Sequence, residues 1–401
     1  MKRRLFITAI IAAIVFQVLL VWILVKKGEN ENSDLTATVV DFEKEYSRER
    51  LQKMAEAGGD WILRMQVGDG DDFGRFAYRI DAEDTEIPGQ FDEDNFLRQA
   101  GTAYALLVLT DATGNDKYRI GAEKSIKYLL SRYRVDDRDS GRGYFEAEGQ
   151  VKLGGTALPT LSLIRLAEGG SEPSYSRYYA PIGKFMLFMQ KKNGRYRSVD
   201  MYRGSRTDKR TTWNSEIYPG EAMLALMRLY AVTNDTAYLQ SVDRALAFYS
   251  AKPGRHDSAK FMPWTTSAMA EAYILTHETR YRDFAYTLAD DLIKSEQNLD
   301  PEGPMFGGFH KSPSINTATY LDGLIDAYKI AKLEGDIERS ARYRLSIFAG
   351  YRFVSSLQFD EMDRAGLRHG GFASSPDNAD IRIDNTQHAT CAFAKGLLTL
   401  F

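Results

Sequence analysis

The sequence predicts an all-α protein: a closed ring of six helical hairpins over residues 42–401, preceded by one N-terminal transmembrane helix. Three observations support this prediction. Amphipathic helical patterns fill the chain after the first segment, with no convincing run of alternating strands. Helices rich in small residues alternate with helices rich in Tyr, Lys and Arg. The last helical pattern stays apolar up to Phe401, which suits an end that is covered by a partner.

The first element is the segment 5–25, which is apolar and carries no charge. As a helix it would reach about 31 Å, enough to cross the hydrocarbon core of a bilayer. Basic residues flank it, more of them before than after, and no small-residue cleavage site follows it. We therefore expect a single-pass, uncleaved signal-anchor with residues 1–4 in the cytoplasm. A polar linker, 26–41, would then lead to a domain at 42–401 in the periplasm or outside the cell.

The small-residue helices recur along the rest of the chain. They begin near Asn95, Gly154, Pro219, Pro263, Ile315 and Asp384. Each of the first five is followed by a helix of the second kind, and the joints "TGNDKY", "TNDTAY" and "THETRY" share a Thr, an acidic residue and a Tyr. Small residues permit close packing, so these helices are expected to form an inner ring, with the longer amphipathic helices outside.

The sixth outer helix is found at the start of the domain. The helical pattern at 42–66 has no small-residue helix before it, and pairing it with the final helix closes the ring. This arrangement is an (α/α)6 toroid. An open helical-repeat solenoid is the alternative, but it would end in polar capping repeats. Gly-aromatic turns at Gly143, Gly307 and Gly370 follow several outer helices, as tight turns or helix ends require.

With these turns and the closing helix "IDNTQHATCAFAKGLL", the chain resembles the six-hairpin toroid superfamily. That superfamily includes many glycoside hydrolases, polysaccharide lyases and sugar epimerases, and the closing helix looks like that of unsaturated-glucuronyl hydrolases. The resemblance covers roughly residues 42–401 and includes no specific catalytic signature. It implies a toroid that acts on or binds carbohydrate, and it carries no catalytic residue across.

Composition excludes several other classes. The net charge is −3 and no Lys/Arg stripe is present, so nucleic acid is not an expected partner. The single cysteine, Cys391, forbids an internal disulfide or a Cys-based zinc site. The five histidines are scattered without metal-binding spacing. We predict neither a metal nor another cofactor.

A site is expected where the inner helices begin. Parallel inner helices bring their N-terminal ends to one mouth of the ring, where unsatisfied N–H groups and the helix dipoles favour acids and anionic ligands. The predicted catalytic residues are Glu216 as general acid or base, Tyr218 as proton donor, and the pair Asp384 and His388. Glu221, in the first turn of its helix, is interpreted as a helix cap.

Asp384 and His388 stand four residues apart and share one helical face. An aspartate one turn before a histidine can orient the imidazole or raise its pKa. The same spacing also suits an N-cap followed by a buried hydrogen bond, and this alternative remains open.

The predicted substrate-binding residues are aromatic, basic or amide side chains at the starts of the inner helices. They are Arg98, Trp213, Asn214, His256, Trp264, His310, Tyr320 and Arg382. Tryptophan faces can pack on sugar rings. Arg98 either meets a substrate carboxylate or pairs with a neighbouring acid, and Arg382 either neutralises Asp384 or binds an anionic substrate.

Two functions fit these patterns. The first is a membrane-anchored, extracytoplasmic carbohydrate-active enzyme: a hydrolase, lyase or epimerase that acts by acid–base chemistry on an anionic envelope or exported polysaccharide. The alternative is a non-catalytic toroid that binds a polymer or a partner protein during envelope polymer synthesis or export.

Overall fold

A computed structural model describes residues 44–81, 84, 95–147, 149–170, 173–200, 215–251, 259–360 and 366–401. The predicted anchor at 5–25 and the linker lie outside these ranges. Within them, none of the helices combines the length and the apolar character needed to cross a bilayer.

The described residues form twelve α-helices, which alternate between an inner and an outer ring. In chain order they are α1 Arg48–Arg64, α2 Phe96–Thr113, α3 Asp116–Ser131, α4 Leu153–Glu168, α5 Tyr179–Phe188, α6 Tyr218–Thr233, α7 Thr236–Ser250, α8 Met262–Thr276, α9 Thr279–Glu296, α10 Asn316–Glu334, α11 Ile337–Ser355 and α12 Ile383–Thr399. The even-numbered helices are the small-residue helices, and each begins within about one residue of its predicted start, which is the usual spread between ways of assigning a helix end.

The inner ring is closed and its helices are parallel. Each even-numbered helix packs on the next, and α12 packs on α2. At that last contact, near the start of both helices, the Thr102 hydroxyl donates to Gln387 Oε1 at 2.7 Å. The first outer helix, α1, lies against α12, where Gly58 leaves no room for a side chain beside Thr390. The predicted toroid is confirmed, and the open solenoid is wrong.

A repeated contact holds neighbouring outer helices together. After α9, the Gln297 amide donates to Gly307 O at 3.1 Å and to Ser346 O of α11 at 2.9 Å. Gly307 has a φ of 85°, and a Cβ there would overlap the carbonyl oxygen of Ala349. We call this arrangement of an amide and a glycine turn the glutamine clasp. It occurs at Gln66, Gln190, Gln297 and Gln358.

The fourth clasp closes the outer ring, because Gln358 donates to Gly370 O and to Met54 O of α1. The clasps give a physical reason for some of the Gly-aromatic turns seen in the sequence. The glycine fits where the turn meets the backbone of the next outer helix.

Two of the three recurring joint tyrosines, Tyr118 and Tyr281, tie their outer helix to the one before it. The Tyr118 hydroxyl of α3 donates to Asp60 Oδ1 of α1 at 3.0 Å. Tyr281 of α9 makes the same kind of hydrogen bond to Asp243 of α7. The joint motif therefore has a structural role.

Short strands lie in the connections that lead into the inner helices. They are β1 Arg79–Ile80, β2 Tyr133–Val135, β3 Gly143–Phe145, β4 Ala373–Ser375 and β5 Asn378–Arg382. The antiparallel pair of β1 and β5 joins the first connection to the last one, with Ile80 opposite Ile381. These strands were not predicted, since two to five residues are too few to show an alternating pattern.

Candidate active site

The central space of the ring, which we call the lumen, is lined by one stripe of each inner helix. Leu224 and Arg228 of α6 and Cys391 of α12 border a cavity on the axis, to which all six inner helices contribute. Glu221 precedes Leu224 by one helical turn, and His388 precedes Cys391 by one turn. Both therefore lie on lumen-facing stripes, one turn nearer the N-terminal mouth. Because α6 is three places from α12 in a ring of six, these stripes face each other across the lumen.

Arg98, Arg382 and Asp384 form an arginine–aspartate cluster at the N-terminal mouth. The Asp384 carboxylate is 2.9 Å from Arg98 Nε and 3.0 Å from Arg382 Nε. Asp384 lies in the first turn of α12, where the helix dipole also favours a negative charge. Arg98 in addition lies over the Tyr78 ring at 5.0 Å. Arg98 and Arg382 were expected either to bind an anionic substrate or to pair with a protein acid. The structure shows both of them paired with Asp384.

The pKa of His388 is lowered, mainly because its side chain is buried. Burial lowers the pKa of His388 to about 4, Asp384 opposes this shift, and Arg98 and Arg382 reinforce it. Asp384 therefore acts on this pKa in the expected direction, but burial outweighs it. His388 is neutral at pH 7, so its ring can accept a hydrogen bond or a proton.

Glu221 is the acid that the sequence analysis misjudged. Its side chain is buried, at 4% exposure, and among the described residues Oε2 has no hydrogen-bond partner. A Cβ at Gly154 of α4 would overlap this oxygen. Burial raises the pKa of Glu221 to about 8, so the group is protonated at neutral pH and can donate a proton. It is a neutral acid facing the lumen and makes no capping hydrogen bond in α6.

The two other predicted catalytic residues near the start of α6, Tyr218 and Glu216, lie in different parts of the structure. Tyr218 is buried against Gly154, on the same side as Glu221. Glu216 instead lines a separate cavity of about 340 Å³, between the start of α6 and residues such as Phe248 and Phe261 on the outer side. The structure brings Tyr218 and Glu221 together and places Glu216 away from the lumen.

His310 and Tyr320 form a contact of their own. His310 Nε2 is 2.8 Å from the Tyr320 hydroxyl, and His310 Nδ1 pairs with Glu296 at the end of the outer helix α9. Tyr320 therefore points towards the outer ring. Trp264 does face the lumen, but it lies beside Tyr104 in the axial cavity, with ring centroids 6.4 Å apart.

The predicted residues Trp213, Asn214 and His256 lie outside the described residues. In the parts of the chain that the structure describes, no three His, Cys, Asp or Glu side chains converge as a metal site would require.

In sequence, the chain matches no protein-family model and no curated protein. In structure, it is similar to an inactive variant of an α-1,6-mannanase of glycoside hydrolase family 76 from Salegentibacter, solved with α-1,6-mannotriose. That likeness has a TM-score of 0.63 and 10% identity, and it covers 87% of this chain and 99% of the mannanase.

Two further solved structures share the fold. A D-mannose isomerase matches with a TM-score of 0.61 and 13% identity, over 88% of this chain and 98% of the isomerase. Cellobiose 2-epimerase from Bacillus thermoamylovorans matches with a TM-score of 0.60 and 11% identity, over 83% and 95%. The expected resemblance is confirmed at the level of fold: the chain is an (α/α)6 toroid, as these three proteins are.

Proposed function

We propose that the chain is a membrane-anchored, carbohydrate-active enzyme that works by acid–base chemistry at the N-terminal mouth of the ring. One observation carries this proposal. The protonated Glu221 carboxyl and the neutral His388 imidazole stand on opposite lumen-facing stripes, one turn nearer the N-terminal mouth than Leu224 and Cys391 of the axial cavity. A proton donor and a proton acceptor that are ready at the same pH are what proton transfer on a sugar requires.

In this proposal Glu221 gives its proton to a glycosidic or ring oxygen, and His388 accepts one from the sugar or from water. Asp384 positions the site, because the two arginines hold it beside the imidazole. Such chemistry serves a hydrolase, a lyase or an epimerase. The mannanase, isomerase and epimerase that share the fold act on sugars, which supports the substrate class.

The substrate preference follows from charge. Two arginines and one aspartate leave the arginine–aspartate cluster with one net positive charge, which favours an anionic sugar such as a uronic acid. The mannanase complex, in contrast, holds a neutral oligosaccharide. Both classes of substrate therefore belong in the assay, with the uronic acid expected to be preferred.

The proposed location rests on the segment 5–25 and its basic flanks. The ring would then lie in the periplasm or outside the cell, where envelope and exported polysaccharides are reached. Membrane fractionation and reporter fusions after residue 41 test this arrangement. Reporter activity in the cytoplasm would contradict it.

The function is tested by turnover of the full-length chain on neutral and uronic-acid oligosaccharides. We expect Glu221→Gln to lose about 100-fold or more in turnover, since general acid–base catalysis contributes roughly 10²–10⁴. Glu338→Gln is the matched control, because that side chain is 80% exposed on an outer helix. Glu216→Gln decides between the two acids near the start of α6.

Three outcomes would change the conclusion. Full turnover by Glu221→Gln would remove that residue from the site, and a loss confined to Glu216→Gln would move the site to the outer cavity. Oligosaccharide binding without turnover by the unaltered chain would favour the alternative, a scaffold that binds a polymer or partner protein.

A further inference from the structure

Each inner helix has an apolar residue one place before its last residue, and none of the six is buried. They are Ala112, Ala167, Val232, Leu275, Leu333 and Leu398. Because the inner helices are parallel, all six residues lie at the C-terminal mouth of the ring. Exposed apolar residues that gather on one face of a protein ordinarily mark an interaction surface.

The leucines of this set lie on consecutive helices. Leu275, Leu333 and Leu398 belong to α8, α10 and α12, which pack on one another in that order. Ile337, the first residue of α11, is also exposed and extends the apolar surface outwards from α10. We call these four residues the apolar rim. Covering them would remove apolar surface from water, which is favourable.

The described chain begins at the same mouth, beside α12. Arg48, the first residue of α1, donates from Nη1 to Leu397 O in the last turn of α12 at 3.3 Å. The apolar segment 5–25, which is the proposed membrane anchor, precedes it in sequence. Residues 26–43 can span at most about 60 Å even when fully extended. A tether of this length raises the local concentration of the bilayer at the ring, so that a weak attraction is enough to hold the rim on it.

Two ion pairs flank Leu333 in the joint that follows α10. Glu334 pairs with Arg282 at 2.8 Å, and Asp336 pairs with Arg339 at 2.9 Å. Paired charges are tolerated at the level of the lipid headgroups, where water remains, but are costly in the hydrocarbon core. Because these pairs carry no net charge, an attraction between the rim and a bilayer does not require anionic lipids.

We propose that the apolar rim rests on the surface of the lipid bilayer to which the segment 5–25 anchors the chain. The rim enters the headgroup level, and the N-terminal mouth faces away from the bilayer. Since α10 has 19 residues, the two mouths are about 28 Å apart. The arginine–aspartate cluster is then presented to glycans on the aqueous side. The inference rests on the membrane anchor of the proposed function, and does not depend on the acid–base chemistry.

Spin labels on the full-length chain measure this orientation. Cys391→Ala removes the only cysteine, and one label is then attached at Leu333→Cys or at Val135→Cys. The two positions are matched in exposure, at 64% and 55%, but Val135 lies in β2, which follows an outer helix at the N-terminal mouth. In phosphatidylcholine vesicles, we expect the ratio of relaxation by oxygen to relaxation by a water-soluble nickel complex to be about threefold higher at Leu333→Cys. High salt should leave this ratio unchanged.

A charge within the rim should abolish the difference between the two labels. Leu398→Asp places a carboxylate beside the bilayer, and the label at Leu333→Cys should then give the same ratio as the label at Val135→Cys. Val135→Asp, combined with the label at Leu333→Cys, is the matched control and should leave the high ratio unchanged. Both substituted residues are exposed, and circular dichroism checks that the variants are folded.

Three results would overturn the proposal, and they differ in what they leave standing. Equal ratios for the two labels in a chain that sediments with the vesicles would leave the anchor in place and remove the rim from the bilayer. A chain that does not sediment with the vesicles would remove the anchor and this inference together, while turnover of oligosaccharides would be unaffected. Spin–spin broadening at Leu333→Cys that disappears on dilution with unlabelled chain would show that a second copy covers the rim.

Discussion

In the N-terminal half of the lumen, two arginines from different elements hold one aspartate, Asp384. In the C-terminal half, Asp326 is held by Lys395, its one ion-pair partner among the described residues. The first arrangement leaves a net positive charge and keeps a partner if one arginine is lost. The Lys395–Asp326 pair has no net charge, and Asp326 has no second ion-pair partner among the described residues if Lys395 is lost. The same types of residue thus give one end a cluster with a net positive charge and the other end an ion pair with none.

Two lumen-lining helices, α6 and α10, each carry a carboxyl whose pKa burial raises, to about 8 for Glu221 and about 7 for Asp322. Only Glu221 has a neutral imidazole on the facing stripe, whereas Asp322 lies beside Lys395 and Cys391. A perturbed pKa alone therefore does not distinguish a catalytic acid from a binding group. The neighbours of each carboxyl make that distinction, and the predictions below test it.

The connections at the two ends should differ most in their tolerance of substitution. Gly307→Ala, in a long connection towards the N-terminal mouth, should lower the free energy of unfolding by about 4 kcal/mol, since a Cβ overlaps Ala349 O. Gly335→Ala, in a short joint at the other end, has a φ of 68° but nothing within 4 Å of its Cβ, and should cost about 1 kcal/mol. Denaturant unfolding measures both, and equal losses would show that the clasp is not required.

The next largest difference is expected between the stability costs of breaking the Lys395–Asp326 pair and the Arg98–Asp384 pair. Lys395→Met leaves the partly buried Asp326 without its ion-pair partner and should lower the free energy of unfolding by about 2 kcal/mol. Arg98→Met leaves Asp384 with Arg382, and should cost about 1 kcal/mol. If thermal or denaturant unfolding ranks the two variants in the reverse order, the second arginine gives the N-terminal mouth no reserve.

The pH dependence of turnover tests the assignment of the acid. His388 accepts a proton only above its pKa of about 4, and Glu221 donates one only below its pKa of about 8. Turnover should therefore be flat near pH 5–7 and about tenfold lower at pH 9 than at pH 7. Glu338→Gln should retain this alkaline fall. A profile still flat at pH 9 would argue against Glu221 as the proton donor.

The smallest expected effect is the pH dependence of stability. Both carboxyls have folded-state pKa values above their unfolded values, so their contribution is full at acid pH and is lost as the pH rises towards about 7 for Asp322 and about 8 for Glu221. Compared with the unaltered chain, Glu221→Gln and Asp322→Asn should each gain about 1 kcal/mol in the free energy of unfolding between pH 6 and pH 7. If only one variant shows this gain between pH 6 and pH 7, only the carboxyl that it replaces has a raised pKa.

The sequence was sufficient to predict the closed ring because each inner helix has a start signal and a run of small residues. It also identified Asp384, Arg98 and Arg382, since charged residues at a helix start are informative wherever several such starts meet. It could not identify Glu221, because a glutamate in a first turn is ordinarily a solvated group near the helix dipole. Only the approach of Gly154 buries it, and the small residues near both helix starts were the available signal.

The sequence did not predict how each inner helix is rotated about its own axis. Tyr320 was expected in the mouth, but the neighbouring Thr319 faces the lumen instead, and one residue along a helix is a turn of about 100°. Trp264, in contrast, lies in the first turn of α8, at the expected mouth, and its ring borders the axial cavity beside Tyr104. The rotation of α10 is not encoded locally, since it depends on how neighbouring helices pack.

Ring closure has a consequence for synthesis. The helix that completes the ring, α12, follows the other eleven described helices in chain order, and it supplies Asp384, His388, Cys391 and Lys395 to the lumen. The strand pair β1–β5 and the fourth clasp also form only once the last part of the domain is present. A chain truncated before α12 would lack Asp384 and His388, so the lumen is completed only by contacts between the first and last parts of the domain.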